Sequence, residues 1–205
     1  MGWASAARTP TFDELYKAVQ ALPEGVTGEI LEPGVIRTMG RPGGPHRIGN
    51  WAIRRSLADD DRWEGGRGWW FEQEAEVRLL TDRLAVPDLS GCCLQDSVDA
   101  PPAFAFENPI RRLPDWCCEI LSRSTEKVDR DIKLPLYAEA GIAWIWIVAP
   151  EARRAEIFRT TERRAELVET IEGDVKRPLP PFTSVVDTSR WWVTPPSRRL
   201  QDSEE

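Results

Sequence analysis

The chain has 205 residues, 41% hydrophobic and 30% charged, which suits one globular core and is short for two full domains. A net charge of −7 and a pI near 5.0 exclude a protein that coats nucleic acid through a broadly basic surface. No run approaches the roughly 18 apolar residues of a membrane span, and Met1–Thr9 lacks the basic-then-apolar order of a secretory signal, so cytoplasmic residence without membrane contact is the expectation.

Thr11-Phe-Asp-Glu14 has the form of a capping box, and Leu15, Val19 and Leu22 follow at helical spacing, so a helix is expected from Phe12 to Ala21. Gly28 to Thr38 reads as a hairpin turning at Glu32-Pro-Gly34, with Glu29 on its first strand. Gly40 to Pro45 is punctuated by Gly and Pro and reads as a loop, and His46 to Ala58 resumes a helical pattern. Arg37, Arg41, Arg47, Arg54, Arg55, Arg62 and Arg67 give this first third a local basic bias, which fits either a solvated face or a nucleic-acid groove.

Trp69-Trp-Phe71 and Ala75 to Leu80 fit strands, the latter with the alternation of a half-wet sheet. Leu84 to Cys93 is mostly apolar and reads as one central strand. Asp99 to Arg112 is a Pro-rich excursion, and Pro114 to Leu121 is a second central strand. A helix is expected from Thr125 to Ala140, ending at Gly141 and kinked or broken by Pro135. Ala143 to Val148 is a buried strand, Ala155 to Thr160 and Ala165 to Ile171 form a hairpin, and Thr183 to Val186 is a last short strand. The order predicts a mixed α/β domain over 1–193, a central sheet flanked by helices, followed by a polar tail over 194–205. No Gly-x-Gly-x-x-Gly or phosphate-binding loop is present. The adjacent pairs Cys92-Cys93 and Cys117-Cys118 lack zinc-knuckle spacing and read as free thiols.

Asp88 and Glu119 are acids inside apolar segments, where a carboxylate is costly unless bonded, paired or metal-bound. With Lys133 on the following helix they suit phosphodiester hydrolysis: two carboxylates and the Ile120 carbonyl to hold a hard divalent cation, and an ammonium to orient the nucleophile or neutralise developing charge. Each residue has a second reading. Asp88 after Pro87 fits a strand-ending turn, Glu119 a structural pair with an arginine, and Lys133 a surface pair with Asp129 four residues earlier. The single histidine, His46, at a helix start, fits contact with a phosphate or a metal-bound water, or a solvated terminus. Glu29 and Asp115 are supporting acids; Glu29 and Glu76 also fit the wet face of a sheet. The ten tryptophans, Trp144 and Trp146 among them, read as core rather than base-stacking platforms.

Pro114-Asp-Trp-Cys-Cys-Glu-Ile-Leu-Ser-Arg-Ser-Thr125, Lys133 with Leu134-Pro-Leu-Tyr-Ala-Glu-Ala-Gly141, and Trp144-Ile-Trp-Ile-Val148 together resemble the Uma-type restriction endonucleases of the PD-(D/E)xK nuclease superfamily. Val86-Pro-Asp88, Gly28-Glu-Ile-Leu31 and Pro45-His46 extend the likeness over most of Thr11 to Ile171. The resemblance implies a restriction-endonuclease-like core, DNA cleavage with magnesium or manganese, Asp88 and Glu119 as ligands, and Lys133 as the catalytic lysine. The superfamily's usual lysine stands two residues after the acid, where this chain has Leu121. A double-strand cut would further favour a homodimer, one site per strand.

Overall fold

The computed structural model describes residues 8–40, 43–66, 68–94 and 100–192. The polar tail, Arg41 and Arg67 lie outside the described residues. In chain order the elements are α1 (Phe12–Gln20), β1 (Thr27–Glu32), β2 (Val35–Met39), α2 (Gly44–Ser56), β3 (Trp69–Gln73), β4 (Val77–Leu79), β5 (Arg83–Ala85), β6 (Leu89–Cys93) and β7 (Trp116–Ile120). A helical run follows, made of α3 (Glu126–Val128), a π-helical turn (Asp129–Lys133) and α4 (Leu134–Ala140). The chain continues through β8 (Trp144–Ala149), β9 (Arg154–Thr161), β10 (Arg164–Glu172), β11 (Lys176–Pro178) and β12 (Val185–Asp187).

The central sheet has six strands in the order β10-β9-β8-β7-β6-β3. It is mixed: β7 and β8 run parallel, with Glu119 opposite Ile147, and every other pair is antiparallel. A parallel pair needs a crossover, and the helical run from Glu126 to Ala140 supplies it. A second sheet, β2-β1-β5-β4, contains the N-terminal hairpin. This is the expected mixed α/β architecture, a central sheet flanked by helices with an N-terminal helix and hairpin.

Strand parity divides the core. Trp116, Cys118 and Ile120 of β7 and Trp146 and Val148 of β8 face α2 and join an aromatic cluster. Phe182 sits at its centre, with ring centroids 4.9 Å from Trp69, 5.2 Å from Trp116 and 5.3 Å from Trp146. Cys117, Ile145 and Ile147 face the other way, onto Leu136, Tyr137 and Ala138 of α4 and onto the second sheet. The tryptophan reading holds for Trp116, Trp146 and Trp191, which are buried, whereas Trp51 and Trp63 are exposed. All four cysteines are free thiols; only Cys93 is exposed.

Two differences from the sequence reading shape the site. Leu84 to Cys93 is two strands rather than one. Leu84 belongs to β5 of the second sheet and Leu89 opens β6 of the central sheet, and Asp88 lies at the bend between them. Pro87 explains the break, because it has no N–H to give to a ladder. The helix after β7 also departs from a regular α-helix. Pro135 offers no donor and its ring would crowd the carbonyl four residues back; the chain accommodates it with the π-helical turn over Asp129–Lys133 just before. The helix ends at Gly141, whose φ of 99° suits a residue without a Cβ.

Candidate active site

Glu119 occupies the C-terminal half of β7 on the face shared with Cys117. That face packs on the helical run, so the carboxylate is 1% exposed and meets Lys133, itself 2% exposed. Lys133 Nζ lies 3.3 Å from both oxygens of Glu119, 3.0 Å from Oε1 of Glu29 and 3.7 Å from Oδ1 of Asp129. It also donates to the Val86 carbonyl at 3.5 Å. The Tyr137 hydroxyl donates a short hydrogen bond to Oε1 of Glu119. Asp129, Lys133 and Tyr137 stand at four-residue intervals, so the helical run turns all three to one face.

Asp88 approaches from the bend before β6. Its Oδ2 accepts the Ile120 N–H at 2.6 Å and lies 3.0 Å from Nε2 of His46. Asn50 of α2 donates to the Asp88 carbonyl at 3.1 Å, and the Glu74 N–H donates to it at 3.2 Å. Asp88 is therefore fixed from both its backbone and its side chain. The Ile120 N–H points toward Asp88, and in an extended strand a residue's carbonyl points to the same edge as its N–H.

His46, Glu74, Asp88, Glu119, Asp129 and Lys133 line one cavity of about 590 Å³, a size suited to a small ligand or one end of a larger one. The hydroxyl residues Ser122, Ser124 and Thr125 complete one wall. Glu29 lies behind this wall, bridging Lys133 and the Val86 N–H, which its Oε1 accepts at 2.8 Å. Its Oε2 is buried without a hydrogen-bond partner among the described residues, as is Nδ1 of His46.

Electrostatically the site is overloaded with negative charge. Glu29, Glu119 and Asp129 lie 3.0–3.7 Å from the Lys133 ammonium, and Asp88, paired with His46, adds its charge from farther off. Burial raises the Glu119 carboxyl well above its usual pKa; Lys133 opposes this, and Asp88, Asp129 and Glu29 add to it. Burial also pushes Asp129 up to about 6 against the pull of Lys133. For Lys133 burial acts downward, but the surrounding carboxylates outweigh it and its pKa is raised, so it stays protonated. His46 is raised too: burial lowers it, and the hydrogen bond and charge of Asp88 more than compensate.

Among the described residues no three His, Cys, Asp or Glu side chains are placed to hold one metal ion together. The acids lining the cavity are Glu74, Asp88, Glu119 and Asp129; Ile120 does not line it and meets the site through its N–H on Asp88.

Of the residues singled out from sequence, Asp88, Glu119, Lys133, His46 and Ile120 meet here, with Glu29 directly behind. Asp115 does not join them. It precedes β7 at the end opposite Glu119, where its carboxylate accepts the Cys93 N–H at 2.8 Å and lies 3.7 Å from Arg112. Four residues along a strand is about 13 Å, so shared parity did not bring the two acids together. Lys133 and Asp129 are not a surface pair, because both are buried. Glu29 is not on a wet face, whereas Glu76 accepts a hydrogen bond from Tyr16 at 2.7 Å. The N-terminal basic bias is partly cancelled, Arg37 pairing with Glu32 and Arg54 with Asp61. Sequence reasoning gave no role to Tyr137 or Glu74; the spacing of Tyr137 from Lys133 was the available signal.

No helix of the described residues is long and apolar enough to cross a membrane. No curated protein matches the chain significantly. Among solved structures, a crystal structure of a "putative nuclease belonging to DUF820" from Anabaena variabilis is similar in fold, with a TM-score of 0.64 at 23% identity, over 89% of this chain and 97% of that one. The model of the Uma2 family, described as "Putative restriction endonuclease", matches residues 12–188, a span that includes every residue of the cavity. The chain belongs to the Uma2 family.

Proposed function

We propose that this protein is a metal-dependent endonuclease that hydrolyses phosphodiester bonds in DNA, with Asp88 and Glu119 holding magnesium or manganese. The observation that carries this reading is the gathering of three carboxylates, Glu29, Glu119 and Asp129, around the buried Lys133 ammonium, with the Asp88–His46 pair on the same cavity wall. Such a cluster lacks positive charge, and a divalent cation supplies it. The donor set fits a hard ion. Two carboxylates and a backbone carbonyl suit magnesium, which takes oxygen ligands and keeps several waters. That also accounts for a site with fewer than three ligating side chains. The family description supports phosphodiester cleavage.

When bound, the cation polarises a phosphoryl oxygen and lowers the pKa of an attacking water. The chain's own residues prepare that chemistry. The Ile120 N–H and His46 hold the Asp88 carboxylate in one orientation. Lys133 and Tyr137 do the same for Glu119. Because Lys133 remains an ammonium, it acts as fixed positive charge against the developing phosphorane and not as a proton acceptor. It arrives from the helical run, while Leu121, at the superfamily's usual lysine position, packs against the core. The hydroxyls of Ser122, Ser124 and Thr125 are donors for the remaining phosphate oxygens. A two-fold dimer would present one such site to each strand of a duplex.

Plasmid cleavage with magnesium tests the assignment. Wild-type protein should cut, EDTA should stop it, and Asp88→Ala and Glu119→Gln should each lose at least about a hundredfold in rate. Wild-type rates in both variants would refute the assigned site.

A further inference from the structure

The helix that delivers His46 to the cavity carries a second surface on its outer side. Residues Gly44–Ser56 include three arginines and no acid, in a chain of net charge −7. Arg54 is turned inward to Asp61. Arg47, Trp51 and Arg55 recur at four-residue spacing and form an exposed stripe. Among the described residues neither Arg47 nor Arg55 has an acidic partner in an ion pair. Trp51 is 61% exposed on this stripe, a placement that core packing does not explain. Beside it runs a groove of about 200 Å³, floored by Ala52 and Ser56 and bounded by Arg190. Asp187 also lines this groove, but it is occupied in accepting the Ser189 N–H at 3.0 Å and lies 3.8 Å from Lys176.

We infer that the outer face of α2 is the track for the nucleic-acid strand leading to the cavity, with Arg47 and Arg55 on phosphates and Trp51 stacked on an unpaired base. This deepens the endonuclease reading and rests on it. At about 1.5 Å and 100° per residue, Trp51 lies about 7–8 Å along the helix axis and about 140° around it from His46, and Arg55 about 13–14 Å and 180°, so a strand leaving the cavity reaches them by crossing over the helix. Charge complementarity favours a polyanion over a protein partner. An exposed indole between cations favours a base whose face is free, because stacking requires an unpaired nucleotide. The substrate class is therefore DNA with an unpaired segment beside the cut, in preference to fully paired duplex.

The test is equilibrium binding by fluorescence anisotropy, with calcium as the divalent ion. The probes are a fully paired DNA duplex and the same duplex carrying a few unpaired nucleotides. Wild-type protein should prefer the second. Trp51→Ala should weaken that complex about tenfold or more and leave the paired duplex nearly unchanged. Trp51→Phe, which keeps an aromatic face, should stay within about threefold of wild type. The double variant Arg47→Ala/Arg55→Ala should reduce the slope of log affinity against log salt by about 1.5 on either probe. If wild type binds and cleaves DNA while these variants bind both probes as it does, the α2 track is overturned and the endonuclease reading stands. If wild type binds neither probe, the endonuclease reading fails and this inference fails with it.

Discussion

Replacing Lys133 by Met removes the one cation from a buried cluster of acids while keeping most of the side chain's volume, so little of the effect comes from a cavity. Lys133 Nζ stands 3.0 Å from Glu29, 3.3 Å from Glu119 and 3.7 Å from Asp129. Breaking a buried pair on one side costs about 3–5 kcal/mol, because the remaining charge is left without compensation. Protonation limits the loss. The variant escapes by keeping one more proton on the cluster than wild type does. At pH 7 that costs about 1.4 kcal/mol for each of nearly three pH units above an ordinary glutamate pKa, or about 4 kcal/mol. At pH 5 the same proton costs about 1 kcal/mol. The sign follows from proton counting: the folded variant holds a proton that the unfolded chain has released, so its stability falls as pH rises. The raised pKa of Lys133 leaves its own contribution in wild type fully present across this range, below the ordinary lysine value of 10.5. Urea unfolding in EDTA at pH 5 and pH 7 measures both numbers. A loss below about 1 kcal/mol at pH 7, or an equal loss at the two pH values, would refute this electrostatic reasoning.

Thr11→Ala removes the capping-box acceptor of α1 and should cost about 1 kcal/mol in the same unfolding assay. Glu14 of that box is held down to about 2, first by Arg8 and then by the Thr11 N–H, so its stabilisation is present above the ordinary value of 4.5 and is lost as pH falls through about 2; carboxyl NMR should place its midpoint there, and in Thr11→Ala that midpoint should rise. Gly91→Ala puts a Cβ 3.0 Å from two ring carbons of Phe71 and 3.2 Å from the Trp69 ring, in an aromatic core that cannot swing aside; it should destabilise by about 1–3 kcal/mol, with altered near-ultraviolet circular dichroism.

The parts of the site legible in the sequence were those where local chemistry contradicts its surroundings. Glu119 stands between Cys118 and Ile120 in an apolar strand, and that conflict marks it whatever the fold. The rest depended on tertiary partners. An apolar run such as Leu84 to Cys93 reads the same whether it feeds one sheet or two; only Pro87 hints at the break that lets the Asp88 carboxylate turn toward the Ile120 N–H and His46. Glu29 looked like a wet-face acid because the next residues did not reveal that β1 is covered on both sides, by α1 on one and the Lys133 cluster on the other. Asp129 and Lys133 fit a surface pair equally well by spacing, since four-residue intervals say which residues share a face but not what that face meets. Asp115 shows the converse limit, matching Glu119 in parity yet lying at the other end of the strand.

The claim on which all of this turns is that Asp88 and Glu119 together hold one divalent cation. Isothermal titration of magnesium into EDTA-stripped protein tests it without requiring cleavage. Wild type should give a saturable heat for one ion per chain, and Asp88→Ala and Glu119→Gln, each with wild-type circular dichroism, should give none. Equal heats from all three proteins, or no heat from wild type at millimolar metal, would contradict it.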